Sequence, residues 1–221
     1  MRVLCDPLLC RLFAAMPSVE EAVASGASLP QADCCVPMLS LPHLFDTRLH
    51  TIPLEVPYLF PPEGGRVPGW DGPPGHPAVG VIWRGKSRGQ LTAQALEPLL
   101  SLPGIFFLSL QKELHPGELE GLPLVDTRSL LTDFAATAAI MARLDLIISM
   151  ETAAAHLAGA MGKPVWMLIP HASEWRWLAE GTRAPWYPSA TLYRQTDPDS
   201  WTPVIARMAR DLAAWRDHVV T

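Results

Sequence analysis

Between residues 79 and 169 short, wholly apolar runs alternate with helix-length segments, and this alternation constrains the fold more than any other feature. Val79–Trp83 (VGVIW) has the composition of a buried strand, followed by a Gly- and Arg-containing loop and a helix around 92–102. Ile105–Leu110 (IFFLSL) supplies the next strand and Leu124–Val125 a short third. Asp133 can cap a helix running to Arg143, because its carboxylate accepts the first free backbone N–H groups. Leu146–Ile148 is again strand-like, Thr152–Met161 helical, and Val165–Ile169 (VWMLI) a further strand. Strands apolar on both faces that alternate with helices imply a parallel sheet covered on both sides. Such sheets bind ligands at the carboxyl ends of their strands, so the loops after Trp83, Leu110, Ser149 and Ile169 are where a site is expected.

Earlier in the chain the pattern is sparser. Arg2–Cys5 reads as a strand, Pro7–Ala15 as a helix opening with proline in its first turn, and Cys34–Leu39 as another strand. These elements, residues 1–62, are too few to close a doubly wound domain. Many of the 23 prolines cluster before residue 78, interleaved with Gly64, Gly65, Gly69, Gly72 and Gly75. Proline removes a backbone donor and fixes φ, so residues 63–77 read as a linker. Residues 78–200 then form the main α/β domain. Residues 201–221 form a closing amphipathic helix with Val204, Met208, Leu212 and Trp215 on one face, expected to cross back towards the N-terminal segment.

Several classes of function are disfavoured at once. A net charge of −5 does not suit a nucleic-acid partner, whose phosphates select basic faces. No apolar run approaches the ~20 residues of a membrane span, and the N-terminus lacks the uninterrupted apolar core of a signal peptide. Cys5, Cys10, Cys34 and Cys35 lack CxxC spacing and lie in apolar stretches, which suggests buried, reduced thiols in a cytoplasmic protein. Neither GxGxxG nor a P-loop motif is present.

Three segments could carry chemistry. In Leu144–Pro164 (LDLIISMETAAAHLAGAMGKP) a strand runs into a helix of small residues. Its N-terminal N–H groups and dipole could hold an anion, with the Thr152 hydroxyl and His156 one turn on. The same residues equally suit a tightly packed core helix that Thr152 merely caps. The loop Arg84-Gly-Lys-Ser-Arg-Gly89 sets Arg84, Lys86 and Arg88 at a strand's carboxyl end, where they could neutralise a diphosphate or simply be solvated. Glu174-Trp-Arg-Trp177 and Ala184-Pro-Trp-Tyr-Pro-Ser189 carry large aromatics that could wall a sugar pocket, since sugars present CH faces to rings, or could fasten the loop to the domain.

The run METAAAHLAGAMGKPVWMLIP, with EWRW, APWYPS and LYRQ, closely resembles the glycosyltransferase region that follows tetratricopeptide repeats in bacterial proteins. That region is related to the ADP-heptose heptosyltransferases and, more distantly, to protein O-GlcNAc transferase. The similarity extends to SLPHLFDTRLHTIPLEVPYL, GVIW, FFLSLQK and DFAATAAIMARLDLII, nearly the whole chain. The resemblance implies an α/β, GT-B-like fold: a Rossmann-type parallel-sheet domain, a truncated N-terminal α/β segment and a C-terminal helix. It further implies a nucleotide-diphosphate sugar as donor and a hydroxyl acceptor, a protein being one candidate, with no metal or other cofactor. Thr152, Ala153 and His156 would hold the donor diphosphate, with Lys86 and Arg84 as further phosphate ligands. Ser109, Gln111, Lys112 and Phe134 would lie near the base and Glu151 near the sugar, where the aromatic character of Trp175 and Trp177 would also place them if they wall the pocket.

The sequence also departs from the family pattern. Glu151 stands where the family usually has Asp, and RGKSRG replaces a Ser-Gly-Asn-type loop. The resemblance puts the first acceptor-domain strands, and the acidic general base, before Met1, in an upstream repeat region or a partner chain. The alternative expectation is a non-catalytic nucleotide-binding or protein-interaction remnant of such a domain.

Overall fold

The computed structural model describes residues 1–28, 31–62, 75–85 and 91–219. Its centre is a six-stranded sheet made of β3 (Ala78–Ile82), β4 (Phe106–Ser109), β5 (Leu124–Asp126), β6 (Leu146–Met150), β7 (Val165–Ile169) and β8 (Ala190–Arg194). The strands are parallel throughout and run in the order β5-β4-β3-β6-β7-β8. Val79, in the middle of the sheet, pairs with Phe107 on one side and Leu146 on the other. All five residues of β3 and of β6 are buried, as strands covered on both faces require.

Alternation along the strands assigns side chains to two cores. On one face Val79, Val81, Trp83, Leu146 and Ile148 pack beneath α3 (Glu97–Leu100) and α6 (Thr202–Val219). On the other, Ile82, Leu108, Ile147 and Met167 pack beneath α4 (Phe134–Ala142) and α5 (Ala153–Ala160). Gly80 allows the second core to close: a Cβ there would sit 2.6 Å from the side chains of both Leu110 and Leu144. As the sequence suggests, Asp133 caps α4, accepting from the Ala136 N–H at 2.7 Å.

The N-terminal segment holds β1 (Arg2–Cys5), a 3₁₀ turn at Pro7–Leu9, α1 (Cys10–Ala14), β2 (Glu21–Ala24) and α2 (Leu41–Leu44). β1 and β2 form a separate two-stranded parallel sheet. α1 anchors the segment by burying Leu12 in the α4/α5 core, and Arg11 pairs with Asp133 at 2.6 Å.

Three sequence expectations are corrected. Cys34–Leu39 is not a strand: every residue in it is exposed, Pro37 lacks the donor a ladder needs, and β2 instead pairs with β1. Cys34 and Cys35 are therefore exposed rather than buried thiols, whereas Cys5 is buried and its Sγ lies 3.6 Å from that of Cys10. Finally, α6 buries Val204, Ile205, Met208 and Leu212 against α3 and the sheet, on the face opposite α1. Its apolar face thus packs on α3 and the sheet rather than towards the N-terminal segment, which packs on the α4/α5 side. Of the expected linker, residues 63–74 lie outside the described residues. Among the described residues no helix is long and apolar enough to cross a membrane.

Candidate functional site

Numbered within the large sheet, the strand order is 3-2-1-4-5-6, so the chain reverses its direction of winding between β3 and β6. Crossovers on either side of that point leave on opposite faces, which opens a crevice beyond the carboxyl ends of the two strands. The two segments singled out from sequence meet there. A Cβ on Gly85, after β3, would lie 2.9 Å from Thr152 Cγ2 and 3.1 Å from the Glu151 carbonyl oxygen, after β6. Glycine is what lets the two loops touch.

Thr152 is fixed from both sides. Ser149 Oγ donates to the Met150 carbonyl at 2.7 Å, so the 2.9 Å contact between Ser149 and Thr152 has Thr152 as donor. The Thr152 oxygen then accepts from the Ala155 N–H at 3.3 Å, capping α5. Ala153 is exposed, and the N–H groups of Ala153 and Ala154, at the very start of the helix, have no preceding turn to donate to. Together with the helix dipole, they make this end of α5 attractive to an anion.

His156, one turn further, is held by aromatic rings. Its Nδ1 lies 2.9 Å from the Tyr187 hydroxyl, and its ring stacks on Trp177 with centroids 5.2 Å apart. Burial, and then the Arg176 charge, push its pKa below the ordinary value, against an opposing effect of Glu174, so the imidazole is neutral at pH 7. Tyr187 reaches His156 by lying flat on α5, where a Cβ on Gly159 would be 2.3 Å from the tyrosine Cγ. Burial, then Tyr58, push the Tyr187 hydroxyl pKa well up, so it stays protonated. Residues preceding the linker also reach this helix: the Tyr58 and Leu59 N–H groups donate to the Ala160 carbonyl at 2.9 and 3.2 Å.

On the β3 side, Arg84 is not a bare cation. It forms a two-pronged pair with Glu118 at 2.6 and 3.0 Å and donates to the Glu113 carbonyl at 2.7 Å. Glu118 also accepts from Trp83 Nε1 at 2.9 Å. Burial pushes its carboxyl up, but bonds from Arg84, the His115 N–H and Trp83 outweigh this and hold its pKa at about 2. Arg84 therefore braces the loop, and its charge is already matched. Lys86 and Arg88 lie outside the described residues.

The other expected residues fall around this centre. Gln111 staples β4 to the loop after β3: its Oε1 accepts from the Arg84 N–H at 3.0 Å and its Nε2 donates to the Arg84 carbonyl at 3.3 Å. Ser109 is buried beside it and its carbonyl accepts from the Thr127 hydroxyl at 2.6 Å. Lys112 Nζ is tied to the Leu131 carbonyl at 2.7 Å, and Phe134, half-buried, starts α4. Trp177 is a correction, because it is fully buried and cannot wall an open pocket. Trp175, by contrast, stands 68% exposed. Sequence reasoning picked out the APWYPS run that carries Tyr187 but not its pairing with His156, and it missed Glu118, which gave no signal. Among the described residues no His, Cys, Asp and Glu cluster could hold a metal ion.

Fold and strand order together define a Rossmann-like α/β domain with its switch point between β3 and β6. Among curated proteins, Protein FlbA from Caulobacter vibrioides is 32% identical over 179 residues, covering 69% of this chain and 29% of that protein. The chain thus spans less than a third of that relative's length. No family model and no solved structure matches it.

Proposed function

We propose that the chain is the nucleotide-sugar-binding part of a GT-B-type glycosyltransferase, which moves a sugar from a nucleotide-diphosphate donor to a hydroxyl acceptor such as a protein side chain. The observation that carries this reading is the contact of Gly85 with Glu151 and Thr152, which joins the loop after β3 to the N-terminus of α5 at the switch point. The donor's diphosphate would sit against the first free N–H groups of α5, with Thr152, whose hydroxyl bridges Ser149 and the Ala155 N–H, holding that turn in shape, and with Lys86 as a further phosphate ligand. Charge that grows on the leaving diphosphate would be stabilised by donors that need no reorganisation. Neutral His156 would hydrogen-bond without adding charge, its orientation fixed by Tyr187 and Trp177. The base and nucleotide-proximal side would lie towards Ser109, Gln111, Lys112 and Phe134.

Calorimetric titration with UDP, GDP and ADP tests the reading. At least one should bind, more weakly as salt rises because ionic contacts are screened. Thr152→Val, which removes the hydroxyl while keeping the shape, should weaken binding roughly tenfold. Absence of binding by all three, or an unchanged affinity in the variant, would overturn it.

A further inference from the structure

Beyond the carboxyl ends of β7 and β8 the loops border an open cleft of about 690 Å³. His171, Ser173, Glu174, Trp175, Gln195 and Thr196 are among the residues that line it. Its floor is rigid: the His171 N–H donates to Gln195 Oε1 at 3.1 Å, and Gln195 Nε2 donates to the Pro198 carbonyl at 3.2 Å. One wall is fixed by Arg194, whose guanidinium donates to the carbonyls of Gly181 (2.7 Å), Leu178 (3.0 Å), Glu180 (3.1 Å) and Trp177. That guanidinium is spent on holding the loop 177–181 in shape.

Trp175 is the unusual member. It is 68% exposed, yet it is clamped: the Arg176 guanidinium lies 5.1 Å from its ring centroid and Trp186 meets it edge-on at 6.0 Å. Trp186 is itself tied down, its Nε1 donating to the Arg176 carbonyl at 2.8 Å. A largely exposed ring, contacted by Arg176 and Trp186 and set beside hydroxyls, an imidazole and an amide, matches the two things a sugar offers to be recognised by, a CH face and a set of hydroxyls. Because ring and floor are already ordered, little conformational freedom is lost on binding. Trp177, two residues on from Trp175, stacks on His156 of α5.

We propose that this cleft holds a saccharide ring stacked on Trp175, with Ser173, Thr196 and His171 available to its hydroxyls. The proposal rests on the glycosyltransferase reading only for the source of the ring, which is either the donor's glycosyl unit or a sugar on the acceptor.

Saturation-transfer NMR on the full 221-residue chain, with a panel of methyl glycosides of glucose, galactose, mannose, N-acetylglucosamine and N-acetylneuraminic acid, tests it. At least one glycoside should be saturated most strongly at its ring CH protons. In Trp175→Ala the affinity should drop roughly tenfold, and Trp175→Phe should recover part of it. The exposed position of Trp175 makes both variants compatible with folding, to be verified by circular dichroism. No saturated glycoside, or saturation indifferent to Trp175→Ala, overturns the proposal. Parallel titrations with UDP-glucose, GDP-mannose and ADP-glucose identify the source. A nucleotide sugar that displaces the glycoside, and weakens in Trp175→Ala while its bare diphosphate does not, assigns the ring to the donor. Simultaneous binding of the two assigns it to the acceptor. Failure of every nucleotide to bind, with Trp175-dependent glycoside binding intact, would sink the donor-site reading and leave this one standing.

Discussion

Arg84 and Glu118 show how a charge that looks available in sequence can be committed elsewhere. Their side chains are only 17% and 7% exposed, so the pair is shielded from solvent and its bonds are not easily exchanged for water. A carboxyl whose folded pKa lies below its unfolded value stabilises the protein at all pH above the unfolded value. That contribution is lost as pH falls through the folded one. For Glu118 the window runs from 4.5 down to about 2. Urea denaturation should therefore show on the order of 3 kcal/mol disappearing across that window. Glu118→Gln should lose a similar amount already at pH 7, since it strands the Arg84 guanidinium, and its stability should fall less steeply in acid than the parent's, the remaining carboxyls such as Asp126 still titrating. Equal acid slopes in the two proteins would show that the pair does not couple folding to protonation.

Helix α5 joins the site to the rest of the core, and Gly159 is where its packing is tightest. Gly159→Ala places a methyl within the Tyr187 ring and should destabilise the protein by about 1–3 kcal/mol in thermal denaturation, as overpacking does. The same change should release His156. In the parent protein its pKa lies below 6.5, so folding stability present above that value is lost as pH falls below it. With Tyr187 displaced the imidazole gains solvent, its NMR titration midpoint should move back towards 6.5, and the pH dependence should shrink. An unmoved midpoint would contradict the role given to Tyr187. The caps of α4 and α5 were legible in sequence because Asp133 and Thr152 act within three residues of their own position. Apolar runs such as VGVIW and VWMLI likewise announced buried strands. Strand order was not legible, since the runs resemble one another and the crossovers decide their neighbours. β2 (EAVA) is half-exposed and alanine-containing, so it carries no strand signal, whereas the apolar run at 34–39 does and yet finds no edge to pair with. Thr152 and His156 could be singled out from one segment. The pairing of Tyr187 with His156 could not, because the two lie 31 residues apart and only the fold brings them together.

At the scale of the molecule the two sheets are unequal. β3 and β6 are hydrogen-bonded on both sides inside a six-stranded sheet, while β1 and β2 have only each other. Two strands without further partners are marginal, and the β1–β2 sheet is tied to the main core through α1, by Leu12 and the Arg11–Asp133 pair, with Tyr58 and Leu59 bonding α5 further along the segment. Hydrogen–deuterium exchange should find the amides of Val3 and Ala22 opening well before those of Gly80 and Ile148. Comparable protection in both sheets would mean that the segment and the main domain unfold as one unit.

Exposed apolar surface follows the same division. Among the described residues, most of the large apolar side chains open to water, including Met38, Leu39, Phe45 and Leu49, belong to residues 36–60. Scattered singly along the chain they would mean little, but gathered in one stretch they give that stretch a surface unlike the rest. In colloidal terms the molecule is a patchy particle. Its net negative charge sets a general repulsion, while attraction acts only when two such patches face each other, so encounters in solution are decided by orientation more than by distance.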